Sequence, residues 1–333
     1  MNRNTFKKSC FRVASRQKKL TWRMGLTIRS EKVIEILARQ IPYISNFEKI
    51  IQIKKGYSSD EKYLIHMLGD QDKLFLRIFK PEQLEAKKIE YAILKKMQDY
   101  GVASLKPLAI GKTMEKGYMI TSYIEGNDAG EEISTYSEQE QYDLGIAAGK
   151  ELKKMHQYAA PDTIAPWHFR KIEKHRKYLD AYLSCGIKVK NDKQIMDFID
   201  ENFQLMEQRP NLLQHDDFHL GNLIVKNKKL AGVIDFDRYD WGDPIHEFLK
   251  IGIFSRGISV PFSSGQIKGY FQGDEPGEEF WRLYSLYMAM CVFSSVIWTL
   301  NTIPEDMDNM LQKIELFLDD HDYFNRLQPK WFN

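Results

Sequence analysis

Cysteine is scarce in this 333-residue chain: Cys10, Cys185 and Cys291 stand far apart and form no C-x-x-C pair. So sparse and odd a set supplies neither a disulfide framework nor a zinc-ligand pattern, and it fits a reducing, cytoplasmic compartment. A strong excess of one charge is missing too. The formal net charge is +2, from 48 basic and 46 acidic side chains, which argues against a dedicated nucleic-acid binder. No uninterrupted apolar run reaches the roughly 18 residues of a membrane span. The most apolar stretch, Leu286 to Leu300, carries Ser294, Ser295 and Thr299 and reads as a buried core helix, so no membrane partner is expected. Internal repeats and low-complexity linkers are also lacking, which excludes solenoids and flexible arrays.

What is present is core material. Hydrophobic residues make up 43% and aromatics 13%, and the length suits two domains better than one. The first 24 residues differ from the rest, with eight basic side chains and no acid, so that the remainder is net acidic. An Arg- and Ser-bearing start of this kind resembles a transit peptide, but it lacks an apolar segment and reads more simply as an unstructured basic tail.

Beyond the tail, Ile28 to Ala38 has helical spacing. Phe47 to Ile53 and Tyr63 to Met67 flank a polar, Gly-containing loop and read as a hairpin, with a third strand at Leu74 to Phe79. After Pro81 the spacing turns helical, through Leu84, Ile89, Ile93, Leu94 and Met97, and Gly101 ends that helix. Strands follow at Leu108 to Ile110 and Tyr118 to Ile124. From Gly126 onward the pattern is mainly helical, with candidates at Ser137 to Tyr158, Phe169 to Leu183, Ile195 to Met206 and beyond Glu278. A β island at Leu223 to Val225 and Leu230 to Ile234 interrupts them. The expected fold is α+β in two lobes: residues 25–125 form an antiparallel sheet lobe with one main helix, and residues 126–333 a larger helical lobe, with a cleft where they meet.

The segment richest in chemistry is Leu213-Gln214-His215-Asp216-Asp217-Phe218-His219-Leu220-Gly221-Asn222, which contains H-x-D-x-x-x-x-N. Thirteen residues after Asn222 comes Asp235, in Ile234-Asp235-Phe236-Asp237. The kinase catalytic loop has the form H-R-D-x-x-x-x-N, followed by an Asp-Phe-Gly triplet whose Asp holds metal. Phosphoryl transfer needs a positioned hydroxyl and cations on the phosphate oxygens, more than covalent help. One Asp can hold the hydroxyl, and an Asn and a second Asp can supply hard oxygen ligands to Mg²⁺. Either half of the pattern alone would be an ordinary polar turn; the two at this spacing point to a phosphotransferase site.

The loop is similar to that of the aminoglycoside phosphotransferase and choline kinase superfamily, which reads H-G-D-x-H-x-x-N and has His where protein kinases have Lys. Trp241-Gly242-Asp243-Pro244 resembles the family's G-D-P, and Leu152-Lys153-Lys154-Met155-His156 its L-x-x-L-H. The likeness spans roughly residues 45 to 250. It implies a protein-kinase-like fold that uses ATP or GTP with Mg²⁺ to phosphorylate a small hydroxyl substrate. Position by position, it implies Asp217 as catalytic base, Asn222 and Asp235 as metal ligands, and His215 and Asp243 as supports. His219 would line the phosphate or acceptor side. Asp216 departs from the family's Gly, and Asp216 and Asp237 are expected to be solvated or substrate-facing.

In the nucleotide lobe the loop Gly56-Tyr57-Ser58-Ser59 can cover phosphates, with Gly56 and Ser58 as cofactor-binding positions. Arg77 stands where kinases carry the phosphate-gripping Lys, with Lys80 as the alternative. Glu90 is the expected helix partner of that cation, and Glu85 the alternative. From Asp274 onward acids outnumber bases and alternate with Phe280, Trp281, Tyr284, Tyr287 and Trp298. Such a wall would suit a cationic substrate such as an aminoglycoside, although aromatics at this spacing are also ordinary core. Two other readings stay open: a metal-dependent hydrolase built on His215, Asp217, His219 and Asp235, and an inactive kinase-fold binding module, suggested by Arg77.

Overall fold

Apolar residues at alternate positions between Phe47 and Ser122 build a five-stranded antiparallel sheet. The computed structural model describes residues 34–54, 59–69 and 73–332, so the basic tail, Gly56 and Ser58 lie outside the described residues. The chain divides into two compact units: the first ends at Tyr91 and resumes over Pro107–Tyr123, and the second comprises Ala92–Lys106 and everything from Ile124. This differs from a single break after residue 125. The reason is packing: Ile93, Leu94, Met97 and Val102 are buried in the larger unit's core.

In the first unit, helix α1 (34–39) precedes β1 (Phe47–Ile53), β2 (Glu61–Met67) and β3 (Lys73–Phe79). The first half of helix α2 (Leu84–Asp99), up to Tyr91, together with β4 (Pro107–Thr113) and β5 (Lys116–Ser122), completes it, in the sheet order β1-β2-β3-β5-β4, and the rest of α2 belongs to the second unit. Successive strand residues point to opposite faces. Leu74, Leu76 and Ile78 therefore join Tyr63, Ile65 and Ile120 in a core covered by Ile34, Leu37 and Ile41. The intervening residues of β3, Arg77 among them, share the other face with Phe79, where Leu84 and Met119 also pack.

The second unit begins with β6 (Asn127–Asp128) and a short helix α3 (Ala129–Glu132). Helix α4 (Glu138–Met155) starts at a reciprocal cap, in which Ser137 Oγ accepts from Glu140 N at 3.3 Å and Glu140 Oε2 from Ser137 N at 2.8 Å. Next come α5 (Trp167–Ser184) and α6 (Asp192–Asn202), then β7 (Leu212–Gln214), β8 (Leu223–Lys226), β9 (Lys229–Val233) and β10 (Asp240–Gly242). Helices α7 (Val260–Tyr270), α8 (Glu278–Thr302) and α9 (Met307–Asp320) follow. By length and composition α8 could cross a bilayer, contrary to the expectation from uninterrupted runs, because its few Ser and Thr residues hardly lower its apolar character. However, 78% of its apolar window is buried within the protein. A helix apolar on all sides and covered by its own fold is a core helix.

Helices α4 and α7 touch backbone to backbone. Gly145 and Gly149 face Gly265 and Gly269, and a Cβ on any of the four would run into a main-chain carbonyl of the opposite helix. Gly149→Ala is therefore expected to destabilise the protein by about 1–3 kcal/mol, the usual cost of overpacking. A urea midpoint equal to wild type would show that the helices can separate without cost.

Candidate active site

Two short antiparallel pairings fold the loop after β7 onto the segment after β9. Strand β7 pairs with β10, Gln214 opposite Asp240, while β8 and β9 form a hairpin with Leu223 opposite Val233. Its two-residue turn, Asn227 and Lys228, has both φ angles positive, at 52° and 60°, as the right-handed twist of a tight hairpin requires. Ile234 N donates to the Asn222 carbonyl at 3.0 Å, so Asn222 lies beside the residue that precedes Asp235. The Asn222 Nδ2 group donates to Asp217 Oδ2 at 3.2 Å and to the Asp217 carbonyl at 2.8 Å. Backbone register and side-chain contact thus gather Asp217, Asn222 and Asp235 in one place.

Both bonds of the Asn222 amide use its nitrogen, which leaves Oδ1 for a cation beside Asp235. An amide oxygen and a carboxylate, completed by phosphate oxygens and water, fit Mg²⁺. A transition-metal cage does not fit. Among the described residues, no three His, Cys, Asp or Glu side chains converge as metal ligands. His215 Nε2 donates to the Ile234 carbonyl at 2.9 Å, and His219 Nδ1 accepts from Gly221 N at 3.1 Å. The hydrolase reading therefore finds no support in the loop.

His215 is fully buried between Phe218 and Phe236, its ring 5.8 and 4.7 Å from theirs. Burial pushes its pKa down to about 4, so it serves as a neutral strut between the Asp217 loop and the Asp235 strand. Burial alone would raise Asp217, but the His219 imidazole and the Lys250 ammonium outweigh it and hold the carboxyl well below the usual range. Their nitrogens lie 3.5 and 3.4 Å from Asp217 Oδ1. Asp216 and Asp235 both have left-handed backbones, φ 57° and 69°. Gly adopts such a backbone most readily, and at Asp216 the Asp side chain tolerates it better than most residues would.

Asp243 has no exposed surface. It caps the turn Pro244–Phe248 through Ile245 N at 3.0 Å and takes Arg209 Nε and Nη2 at 2.8 and 3.0 Å. Tyr287 OH donates to it as well, at 2.8 Å. Its own carbonyl accepts from the Gln214 amide, just before the loop.

The sequence reading missed Glu247, Lys250 and Arg209. Glu247 Oε2 and Oε1 accept the backbone N–H groups of Asp216 and Phe218, at 3.0 and 3.2 Å, and so fix the loop. The available signal was an acid inside an apolar run, Ile245-His246-Glu247-Phe248-Leu249, where only a buried partner would justify a charge. Burial, aided by Asp216, pushes Glu247 up to about 7. A carboxyl raised above its unfolded value stabilises the fold below the unfolded pKa, and this contribution is lost as pH rises through about 7. The unfolding free energy of wild type should accordingly fall between about pH 5 and 7 more steeply than that of Glu247→Gln, the difference in slope being at most about 1.4 kcal/mol per pH unit. Parallel curves would exclude this role.

In the first unit, Arg77 does meet Glu90, and Glu85 instead makes an exposed pair with Lys88 at 2.8 Å. Arg77 also donates through Nε and Nη2 to Asp60 at 3.0 and 2.7 Å. Lys87, unremarked in the sequence, reaches Asp60 at 2.9 Å and Glu90 at 3.3 Å. The result is a buried quartet of two cations and two carboxylates, so the Arg77 fork is engaged by protein acids. Lys80 is exposed at the end of β3.

The proposed acidic aromatic wall does not form. Phe280, Trp281, Tyr284 and Tyr287 are core residues, because their spacing along α8 turns them inward on a helix buried on every side. Several of the acids are paired: Glu279 with Arg209, Asp320 with Arg256, and Asp319 with Lys330.

Residues 49–284 match the model of the phosphotransferase enzyme family. No curated protein matches the sequence significantly. Among solved structures, a thermostable mutant of aminoglycoside phosphotransferase APH(4)-Ia, in complex with ADP and hygromycin B, is 15% identical, with a TM-score of 0.63 over 84% of this chain and 97% of that one. ADP-bound APH(2'')-Ib is 19% identical, with a TM-score of 0.60 over 86% and 98% of the two chains. The gentamicin complex of APH(2'')-IIa is 17% identical, at 0.60 over 85% and 95%. At these identities the likeness concerns the fold, which is the two-lobed, kinase-like α+β architecture.

Proposed function

Because the chain belongs to the phosphotransferase enzyme family, we propose that it is a small-molecule kinase, moving the γ-phosphate of ATP or GTP onto a substrate hydroxyl. The observation that carries this reading is the Asn222 amide, 3.2 Å from Asp217 and backbone-bonded to the residue before Asp235. In the reaction, the acceptor oxygen forms a bond to the γ-phosphorus as the bridging P–O bond breaks, and the nucleoside diphosphate leaves with that electron pair. Asp217 holds the hydroxyl and takes its proton, then releases it to solvent. Asn222 Oδ1 and Asp235 would hold Mg²⁺, which would supply positive charge to the phosphate oxygens. His219 and Lys250 keep Asp217 ionised and aimed.

The test is ADP or GDP release with each Mg²⁺-nucleotide across a broad panel of hydroxyl compounds. Aminoglycosides, named in the solved relatives, belong in the panel beside sugars, amino alcohols and hydroxy acids. Acceptor-dependent release that EDTA abolishes is the expected result. Nucleotide binding without turnover on any acceptor would instead favour a binding module, a reading to which the engaged Arg77 fork lends weight.

A further inference from the structure

Glu247 and Lys250 stand three positions apart and face the same loop. Glu247 takes its backbone N–H groups, and Lys250 places its ammonium 3.4 Å from Asp217 Oδ1. The backbone that carries Lys250 is firmly anchored. It enters a π-helical turn, Ile251–Ser255, closed by Arg256 N donating to the Ile251 carbonyl at 2.8 Å. Ile251, Gly252, Ile253 and Ser255 are buried there, and a Cβ on Gly252 would run into Met288 of α8. Turns of this wide kind are rare and recur at functional sites.

The Lys250 ammonium is desolvated yet little used. Its side chain is 15% exposed, its one ion pair among the described residues is with Asp217, and it makes no well-directed hydrogen bond to any of them. Burial alone would lower its pKa, but Asp216 and Asp217 outweigh this and raise it, so the charge persists at neutral pH. Asp216 acts from beyond ion-pair distance, with its own Oδ1 4.0 Å from His246 Nδ1. The neighbouring His219 brings no comparable charge. Its Nδ1 already accepts from Gly221 N, which leaves Nε2, 3.5 Å from Asp217 Oδ1, to carry the ring's proton. Among the described residues, Lys250 is thus the one lasting cation within ion-pair distance of Asp217.

The Asn222 amide occupies Asp217 Oδ2, so an acceptor hydroxyl is left with Oδ1. There it stands about 2.6–3.2 Å from the carboxylate and competes with the ammonium for it. The phosphoryl oxygens that close on this hydroxyl are then on the order of 3–6 Å from Lys250 Nζ, within the swing of its flexible four-carbon stem.

We propose that Lys250 is a further catalytic residue: as the hydroxyl takes over Asp217 Oδ1, the ammonium turns to the oxygens of the phosphoryl group in transfer. This rests on the kinase reading and deepens it. As the acceptor oxygen bonds to phosphorus, the bridging P–O bond breaks and its electron pair leaves with the diphosphate. The acceptor proton passes to Asp217. Lys250 keeps its three protons and donates hydrogen bonds to the charge spread over the phosphoryl oxygens.

The experiment compares the affinity of the full chain for Mg²⁺-ADP alone and with aluminium fluoride, a mimic of the planar phosphoryl group. Fluoride should tighten ADP binding to wild type, because the mimic resembles the transition state. Lys250→Met should lose roughly tenfold to a thousandfold of that tightening, and Lys250→Arg should retain part of it. Asp217→Asn decides whether Lys250 acts through its neighbour: adding Lys250→Met in that background should cost as much tightening as it does in wild type. A loss that disappears there overturns the proposal. So does tightening that Lys250→Met leaves unchanged, or its absence from wild type. Should Lys250→Met fail to fold, as judged by its melting curve, acetylation of Lys250 in wild type decides, read by mass spectrometry. Protection by the fluoride complex beyond that given by Mg²⁺-ADP supports the contact, and equal labelling overturns it. Binding of Mg²⁺-ADP to wild type is measured first. A chain that binds none fails as a kinase, and this inference falls with it; a chain that binds it without the Lys250-dependent gain fails only here.

Discussion

Asp217→Asn should lower turnover by roughly 10²–10⁴-fold, the usual contribution of a positioned general base, while leaving nucleotide affinity unchanged. The substitution preserves size and removes only the charge and the site for the proton. His219 and Lys250 hold the wild-type carboxyl below its usual range, so the group is already ionised throughout the pH range above ordinary carboxylates. An acid limb in the pH–rate profile near neutrality would have to come from another group. Single-turnover measurements with a saturating acceptor separate the cases. Near-wild-type chemistry in Asp217→Asn would mean that this carboxylate neither orients nor deprotonates the hydroxyl.

The largest expected effect on stability is at Asp243. Asp243→Ala would leave Arg209, Tyr287 and Ile245 N without the carboxylate that now receives all three. Removing one member of a buried ion pair typically costs about 3–5 kcal/mol. Urea unfolding should therefore show a loss of this size, with the slope of the transition unchanged. Arg209→Met in the Asp243→Ala background should recover part of it, because the orphaned guanidinium is then gone. If the double variant is as unstable as the sum of the single ones, the pair contributes no coupling, and Asp243 acts through its turn cap alone. Activity should fall together with folded fraction, since the same turn leads into Glu247 and the loop it fixes.

The two lobes were legible because their period changes from two to 3.6 near Gly126, and α4 was placed almost to its ends by Ser137 and its apolar face. The meeting of Asp217, Asn222 and the segment before Asp235 was legible because H-x-D-x-x-x-x-N and the later Asp stand at a fixed spacing. What stayed hidden depends on three-dimensional closure. Lys87 and Asp60 lie far apart in sequence and meet only when β2 and α2 bring them to Arg77. Lys250 is one basic residue among many until Asp217 is seen 3.4 Å away. The aromatic run of α8 was ambiguous by nature, because three- and four-residue spacing serves a core as well as a wall.

The four glycines shared by α4 and α7 have a bearing on how this scaffold can be re-engineered. Two helices that meet without side chains behave as one part: neither can be exchanged for a homologous segment unless its mate is transplanted with it. A chimera that imports α4 alone from a relative with bulkier residues at positions 145 and 149 would wedge the seam open, whereas a paired graft would carry its own spacing along.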